Sequence, residues 1–240
     1  MCKDTSRCGR FIHISGPSAL AHGADADNVG TIMRRILVLG TGNRHKLDEI
    51  APLLEGLDVT LKTAREYGAF DVVEDGGTLE ANAVLKAEEA MKLSKQWAFA
   101  DDTGLEVDAI GGSPGIHAAR YAGPECDPAR NIDKLLGELQ DVPHEKRSAR
   151  FVCVIAFCRP GMPPQTFRGT CPGYILTERR GTSGFGYDPV FLVKGLDKSF
   201  AEMSMDEKNR LSHRACAVKL FRTELVKLLL DHLTPRERNA

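Results

Sequence analysis

Two adjacent carboxylates, Asp101 and Asp102, follow directly on the apolar run Phe99-Ala100 and precede Thr103-Gly104. The carboxyl end of a strand is where open α/β sheets expose reactive groups. Neighbouring side chains there point different ways, so one carboxylate can face a cleft as a metal ligand or water-activating base while the other braces the turn. A solvated Asp-Asp turn is the plain alternative. Glu74 and Asp75, in the stretch Val73 to Thr78, add hard oxygen donors of the kind magnesium accepts beside phosphate and water.

A second constellation is Gly40-Thr41-Gly42-Asn43-Arg44-His45-Lys46, placed where a strand gives way to a helix. Free backbone N–H groups and the helix dipole at such a turn favour an anion, and Arg44 and Lys46 add positive charge. The run matches neither the Walker pattern nor GxGxxG, so a plain turn stands equally open. Further on, Phe185, Gly186, Tyr187 and Asp188 interleave aromatics with glycine, which lets a flat ring lie close to backbone and stack a purine, or simply closes a tight turn. Lys208, Ser212, His213 and Arg214 offer donors for phosphates or for the oxygen of a 6-oxopurine. On an unbroken helix Lys208 and His213 would stand roughly 140° apart. The chain is therefore expected to break between them, with Ser204 and Glu207 forming a capping box for a short turn and Ser212 capping a separate terminal helix.

The elements that must position these groups alternate in type. An apolar strand is expected at 36–39, followed by a helix capped by Asn43, carrying Leu47, Ile50 and Leu54 on one face and closed by Gly56. A strand at 59–61 leads through a loop to Thr78, after which Leu79, Ala83, Ala87, Ala90 and Ser94 mark the small-residue face of another helix. A short strand at 98–100 follows, then a helix opened by Asp127-Pro128, long strands at 150–158 and 166–171, and a terminal helix to Leu233 with Val218, Phe221, Leu225 and Leu229 on one face. This interleaving predicts an α/β or mixed α+β fold around one central sheet. Residues 1–32 lack either periodicity and are expected to lie outside the fold, as a leader or a misassigned start ahead of Met33.

Bulk composition excludes several classes. With 240 residues and a net charge of −1, the chain suits one domain and carries no overall field to hold a nucleic-acid polymer or an anionic membrane, so any phosphate must be met locally. Seven cysteines without a CxxC pair read as reduced cytoplasmic thiols, with Cys153 and Cys158 on opposite faces of a strand. No apolar run reaches the roughly 20 residues of a membrane span.

In this order the segments resemble the inosine triphosphate pyrophosphatase family, over about residues 35–230. The likeness rests on Thr41-Gly42-Asn43 with Lys46, on Thr78 with Glu80-Ala81-Asn82-Ala83 and Lys86, and on Ala100 to Val107. It continues through Gly111 to Ile116, Ala119-Arg120-Tyr121, Gly184 to Pro189, and Glu207-Lys208-Asn209 with Ser212-His213-Arg214. The resemblance implies an elongated, curved mixed sheet flanked by helices in two lobes with a central cleft, and a homodimer. It implies Asp102 as the catalytic carboxylate and a magnesium ligand, Glu74 as its metal partner, and Lys86 as a phosphate contact. Thr41, Gly42, Asn43, Arg44, His45, Lys46, Thr103, Lys208, His213 and Arg214 correspond to nucleotide contacts, with Phe185 to Asp188 flanking the base. His45 replaces a frequent glycine and either crowds or grips the phosphates; Thr103 replaces a frequent serine and keeps its hydroxyl.

The activity so implied is magnesium-dependent hydrolysis of inosine, deoxyinosine and xanthosine triphosphates to monophosphate and pyrophosphate. Two rivals remain: a pyrophosphatase of related fold acting on modified pyrimidine or methylated nucleotides, and a purine nucleotide sensor without turnover. Paired acids suit binding of phosphate alone poorly.

Overall fold

The computed structural model describes residues 34–231, so the leader expected over 1–32 and the helix end expected at Leu233 lie outside the described residues. The elements run β1 (Arg35–Leu39), α1 (Arg44–Leu53), β2 (Val59–Thr63), α2 (Leu79–Ser94), β3 (Trp97–Val107), β4 (Pro114–Gly115), α3 (Pro128–Glu138), β5 (Ser148–Cys158), β6 (Gln165–Ile175), β7 (Phe191–Val193), α4 (Met205–Leu211) and α5 (His213–Asp231). Seven strands form one mixed sheet in the order β2-β1-β3-β5-β6-β7, with β4 added to β3. β1 pairs in parallel with β2 and β3, as the crossovers through α1 and α2 require, and the remaining pairs are antiparallel.

Period-two alternation along the central strands feeds both faces of the sheet. Cys153, Ile155 and Phe157 of β5 join Phe99 and the Ala217, Val218, Phe221 and Leu225 stripe of α5 in one core. Val152, Val154, Ala156 and Cys158 face the other way, against Leu79, Ala83 and Ala87 of α2. Cys153 and Cys158 thus lie on opposite faces, as their spacing requires. The alanines of α2 let the helix settle close to the sheet: a Cβ at Gly40 would come within 3.0 Å of the Lys86 carbonyl and 3.1 Å of the Ala90 Cβ. A further core, with Leu105, Leu135, Phe151, Phe191 and Phe200, occupies the β4–β7 end.

One expectation is corrected by this topology. The strand carrying the acidic pair does not end at Ala100 but continues to Val107, because β5 pairs with it in register from Ala98↔Cys158 to Val107↔Ala149. Asp-Asp-Thr-Gly is poor strand sequence, and the partner strand overrides its local preference. On the opposite edge, β1 pairs with β3 only up to Phe99, and β4 resumes at Leu105. The positions between them form a gap in the sheet, and that gap is the floor of the cleft described next.

Candidate active site

The gap opens into a cleft of about 510 Å³, lined from the β1–α1 turn, the segment before α2, β3, the loop before β7 and the α4–α5 junction. Alternation on β3 sends the two carboxylates to opposite faces of the sheet. Asp102 turns toward α2, where its Oδ1 accepts from Lys86 Nζ at 2.7 Å and its Oδ2 from Asn82 Nδ2 at 3.3 Å. The same Lys86 ammonium donates to Glu74 Oε1 at 2.9 Å. Burial pushes the Asp102 carboxyl above its ordinary value, an effect that Lys86 offsets only in part. Burial works against the Lys86 ammonium, but Asp102, Asp101 and Glu74 outweigh it and keep the amine charged.

Asp101 turns toward α5 and is fully enclosed. Its Oδ2 meets Lys46 Nζ at 3.1 Å and accepts from Arg214 Nε at 3.2 Å and Nη2 at 3.1 Å. Burial alone would raise this carboxyl, yet Lys46, Arg214 and Lys86 hold it well below the usual carboxylate range. Arg214 also donates to Thr103 Oγ1 at 3.1 Å and pairs with Glu49. Glu49 in turn receives Lys208 Nζ at 2.7 Å, and Lys208 reaches Asp188 Oδ2 at 2.6 Å. The result is a buried chain of alternating sign from Asp188 through Lys208, Glu49, Arg214 and Asp101 to Lys46.

Local sequence explains how each segment is held. Asn43 caps α1, its side chain accepting from His45 N at 2.9 Å, and Thr41 Oγ1 accepts from Asn43 N at 3.1 Å. The turn is thereby fixed with helix N–H groups at its mouth, the arrangement that suits an anion. Ser204 and Glu207 form a capping box on α4, and the chain turns extended at Ser212 before α5 begins at His213. The expected break is present. It brings Lys208 and Arg214 to the same ring, their charged groups 5.1 Å and 5.7 Å from the Phe185 centroid. Gly169 on β6 lets α5 dock: a Cβ there would stand 2.3 Å from both Ala217 N and His213 O.

A family model described as the Ham1 family matches residues 37–224. The chain belongs to the Ham1 family. Among its Ham1 relatives, a dITP/XTP pyrophosphatase of Bacillus licheniformis is 48% identical over 184 residues, covering 76% of this chain and 94% of that protein. One of the same name from Bacillus subtilis is 43% identical over 199 residues, covering 82% and 98%. The fold agrees with a solved Ham1 protein of Staphylococcus aureus at TM-score 0.73 and 40% identity, covering 80% of this chain and 99% of that one. A Ham1 protein of Coxiella burnetii gives TM-score 0.75 at 37% identity, with the same coverage.

In this Ham1 chain the cleft gathers most residues singled out from sequence. Thr41, Gly42, Asn43, Lys46, Glu74, Lys86, Asp102 and Thr103 line it, as do Phe185, Gly186, Tyr187, Asp188, Lys208, His213 and Arg214. Arg44 does not: it sits exposed on the first turn of α1, away from the lining. His45 lines the cleft too and stacks on Phe185, with ring centroids 5.3 Å apart and planes 13° apart. Tyr187 is buried and donates to the Ala118 carbonyl at 2.9 Å, so it props the loop that presents Phe185. His213 stacks on Phe151 at 4.6 Å; burial lowers its basicity well below the ordinary value, which keeps the ring neutral, and its Nδ1 has no hydrogen-bond partner among the described residues. Glu49 and Arg65 were not singled out from sequence. Glu49 reads there as one more helical charge, its only signal being its place beside the buried Ile50.

Proposed function

We propose that the chain hydrolyses non-standard purine nucleoside triphosphates, among them inosine, deoxyinosine and xanthosine triphosphates, to monophosphate and pyrophosphate. The observation that carries this reading is Asp102: a carboxylate made more basic by burial, held by Lys86 and Asn82, facing the same cleft as a capped anion-binding turn and a presented aromatic ring. The Ham1 relatives named dITP/XTP pyrophosphatase support the deoxyinosine and xanthosine substrates.

Glu74 and Asp102 are the residues that would hold a magnesium ion. The donors fit: both are carboxylates, they share one ammonium, and the buried Asn82 Oδ1 beside Gly76 has no partner among the described residues. Two carboxylates leave the rest of such an ion's shell to phosphate and water. When bound, magnesium would neutralise phosphate charge and stabilise pyrophosphate as it leaves.

The protein's own part is positional and acid–base. Lys86 and Lys46 offset the charge that would repel a nucleophile, and the α1 turn orients the phosphate chain. Asp102 takes a proton from water as its oxygen bonds to phosphorus, and the bridging P–O bond of the α–β anhydride breaks to release pyrophosphate. The base lies by Phe185, within reach of Lys208 and the His213–Arg214 end of α5. Donors there suit a 6-oxo group, whereas the adenine amino group would meet donors with a donor.

Pyrophosphate release from inosine, xanthosine, guanosine and adenosine triphosphates with magnesium tests this reading. The first two are expected to turn over best, and Asp102→Asn to lose about 10²–10⁴-fold in kcat. Full activity in Asp102→Asn, or preference for thymidine or uridine triphosphates, would overturn it. The family resemblance supports a homodimer, and the five described cysteines, all unpaired, suit a reducing cytoplasm. A monomer by sedimentation would remove the former.

A further inference from the structure

The charges of the cleft are nearly all spoken for within the protein. Lys46 is paired with Asp101, Lys86 with Asp102 and Glu74, Lys208 with Glu49 and Asp188, and Arg214 with Glu49 and Asp101. Four cations are thus shared among five carboxylates, so beyond the local charge that Lys46 and Lys86 present, these groups add no surplus positive charge for a polyphosphate. Arg65 differs. It sits in the 3₁₀ turn Ala64–Glu66 after β2, lines the same cleft, and makes no hydrogen bond or ion pair with any described residue.

Its position is set by Gly42. A Cβ at that glycine would stand 2.6 Å from Arg65 Nη2 and 3.1 Å from Cζ, so the guanidinium lies directly over the backbone of the anion-binding turn. Gly42 is absent from the positive-φ positions, hence what glycine supplies here is room for that side chain. His45, three residues along, is the part of this segment that contacts the base-side loop through Phe185. Arg65 stands over the turn itself, on the phosphate side.

We propose that Arg65 is a positioning residue for the pyrophosphate portion of the substrate. Its planar fork meets phosphate oxygens in pairs, which a lysine cannot reproduce. The inference rests on the triphosphate reading above. It makes the segment after β2, outside every stretch that carried the family resemblance, part of the substrate site.

The test compares the parent with Arg65→Gln and Arg65→Lys, using inosine triphosphate as substrate and pyrophosphate and inosine monophosphate as separate inhibitors. Arg65 is exposed, so melting curves should overlay. In Arg65→Gln the KM and the pyrophosphate inhibition constant should each rise about tenfold, the size of one charge-assisted contact, with kcat within about twofold. Inhibition by the monophosphate should stay unchanged, and Arg65→Lys should recover part of the loss. Unchanged pyrophosphate inhibition in Arg65→Gln, or equal weakening by the monophosphate, overturns the assignment while leaving the enzyme reading intact. A parent that neither turns over triphosphate nor binds pyrophosphate sinks both.

Discussion

Asp101 and Asp102 are the same residue, one step apart on one strand, and their environments could hardly differ more. Asp101 faces α5, enclosed by Lys46 and Arg214, and its ionised form is strongly favoured. Asp102 faces α2 across the cleft floor, and burial makes its ionised form costly despite Lys86. Strand alternation alone creates this division: one carboxylate pins the helix that carries His213 and Arg214, and the other is left reactive. A paired acidic motif on a strand therefore reads as one brace and one working group, where the same pair on a turn would have two solvated charges.

Stability measurements can break that contrast most directly. Asp101→Asn should lower unfolding stability by about 3–5 kcal/mol, since Arg214 and Lys46 would lose a buried anionic partner. Asp102→Asn should lower stability much less, because the pairing lost at Lys86 is offset by removing a carboxylate whose folded pKa is raised by burial, and Glu74 still holds the ammonium. Comparable destabilisation in both would erase the distinction. The pH profile sharpens it. Asp101 has a depressed folded pKa, so its contribution is present above the unfolded value of about 3.9 and is lost as pH falls through the folded one. The parent's midpoint should drop below about pH 4, and Asp101→Asn should show a shallower drop there.

The smallest expected effect lies at Thr103, whose hydroxyl donates to Asp101 at 3.3 Å and accepts from Arg214 at 3.1 Å. Thr103→Ser keeps both bonds and should shift stability by less than about 0.5 kcal/mol, while Thr103→Val should cost about 1 kcal/mol. Equal denaturant midpoints for the serine and valine variants would remove Thr103 from the Asp101 network.

Local chemistry was the part of this molecule that could be read in advance. The α4–α5 break follows from Ser204, Glu207 and Ser212, and the α1 cap from Asn43, because caps are decided within four residues. Glu49 was hidden since its partners Lys208 and Arg214 lie 159 and 165 residues away, and no local periodicity reports that. The extent of β3 through Asp-Asp-Thr-Gly was missed for a related reason: β5 supplies the pairing that the segment's own propensity does not. β4 and β7, with two and three residues, are too short to carry a period. The stacking of His45 could not be read from sequence because its partner Phe185 comes from a distant loop.

The gap between β1 and β4 carries one more consequence. An unpaired strand edge ordinarily invites a neighbouring polypeptide to add itself, the first step of unwanted self-association. Here the bare stretch is only a few residues long, recessed between two flanking strands, and studded with anionic side chains, three features that discourage another backbone from docking. The enzyme can thus leave this stretch of β3 without a partner strand and still not become sticky toward its own kind.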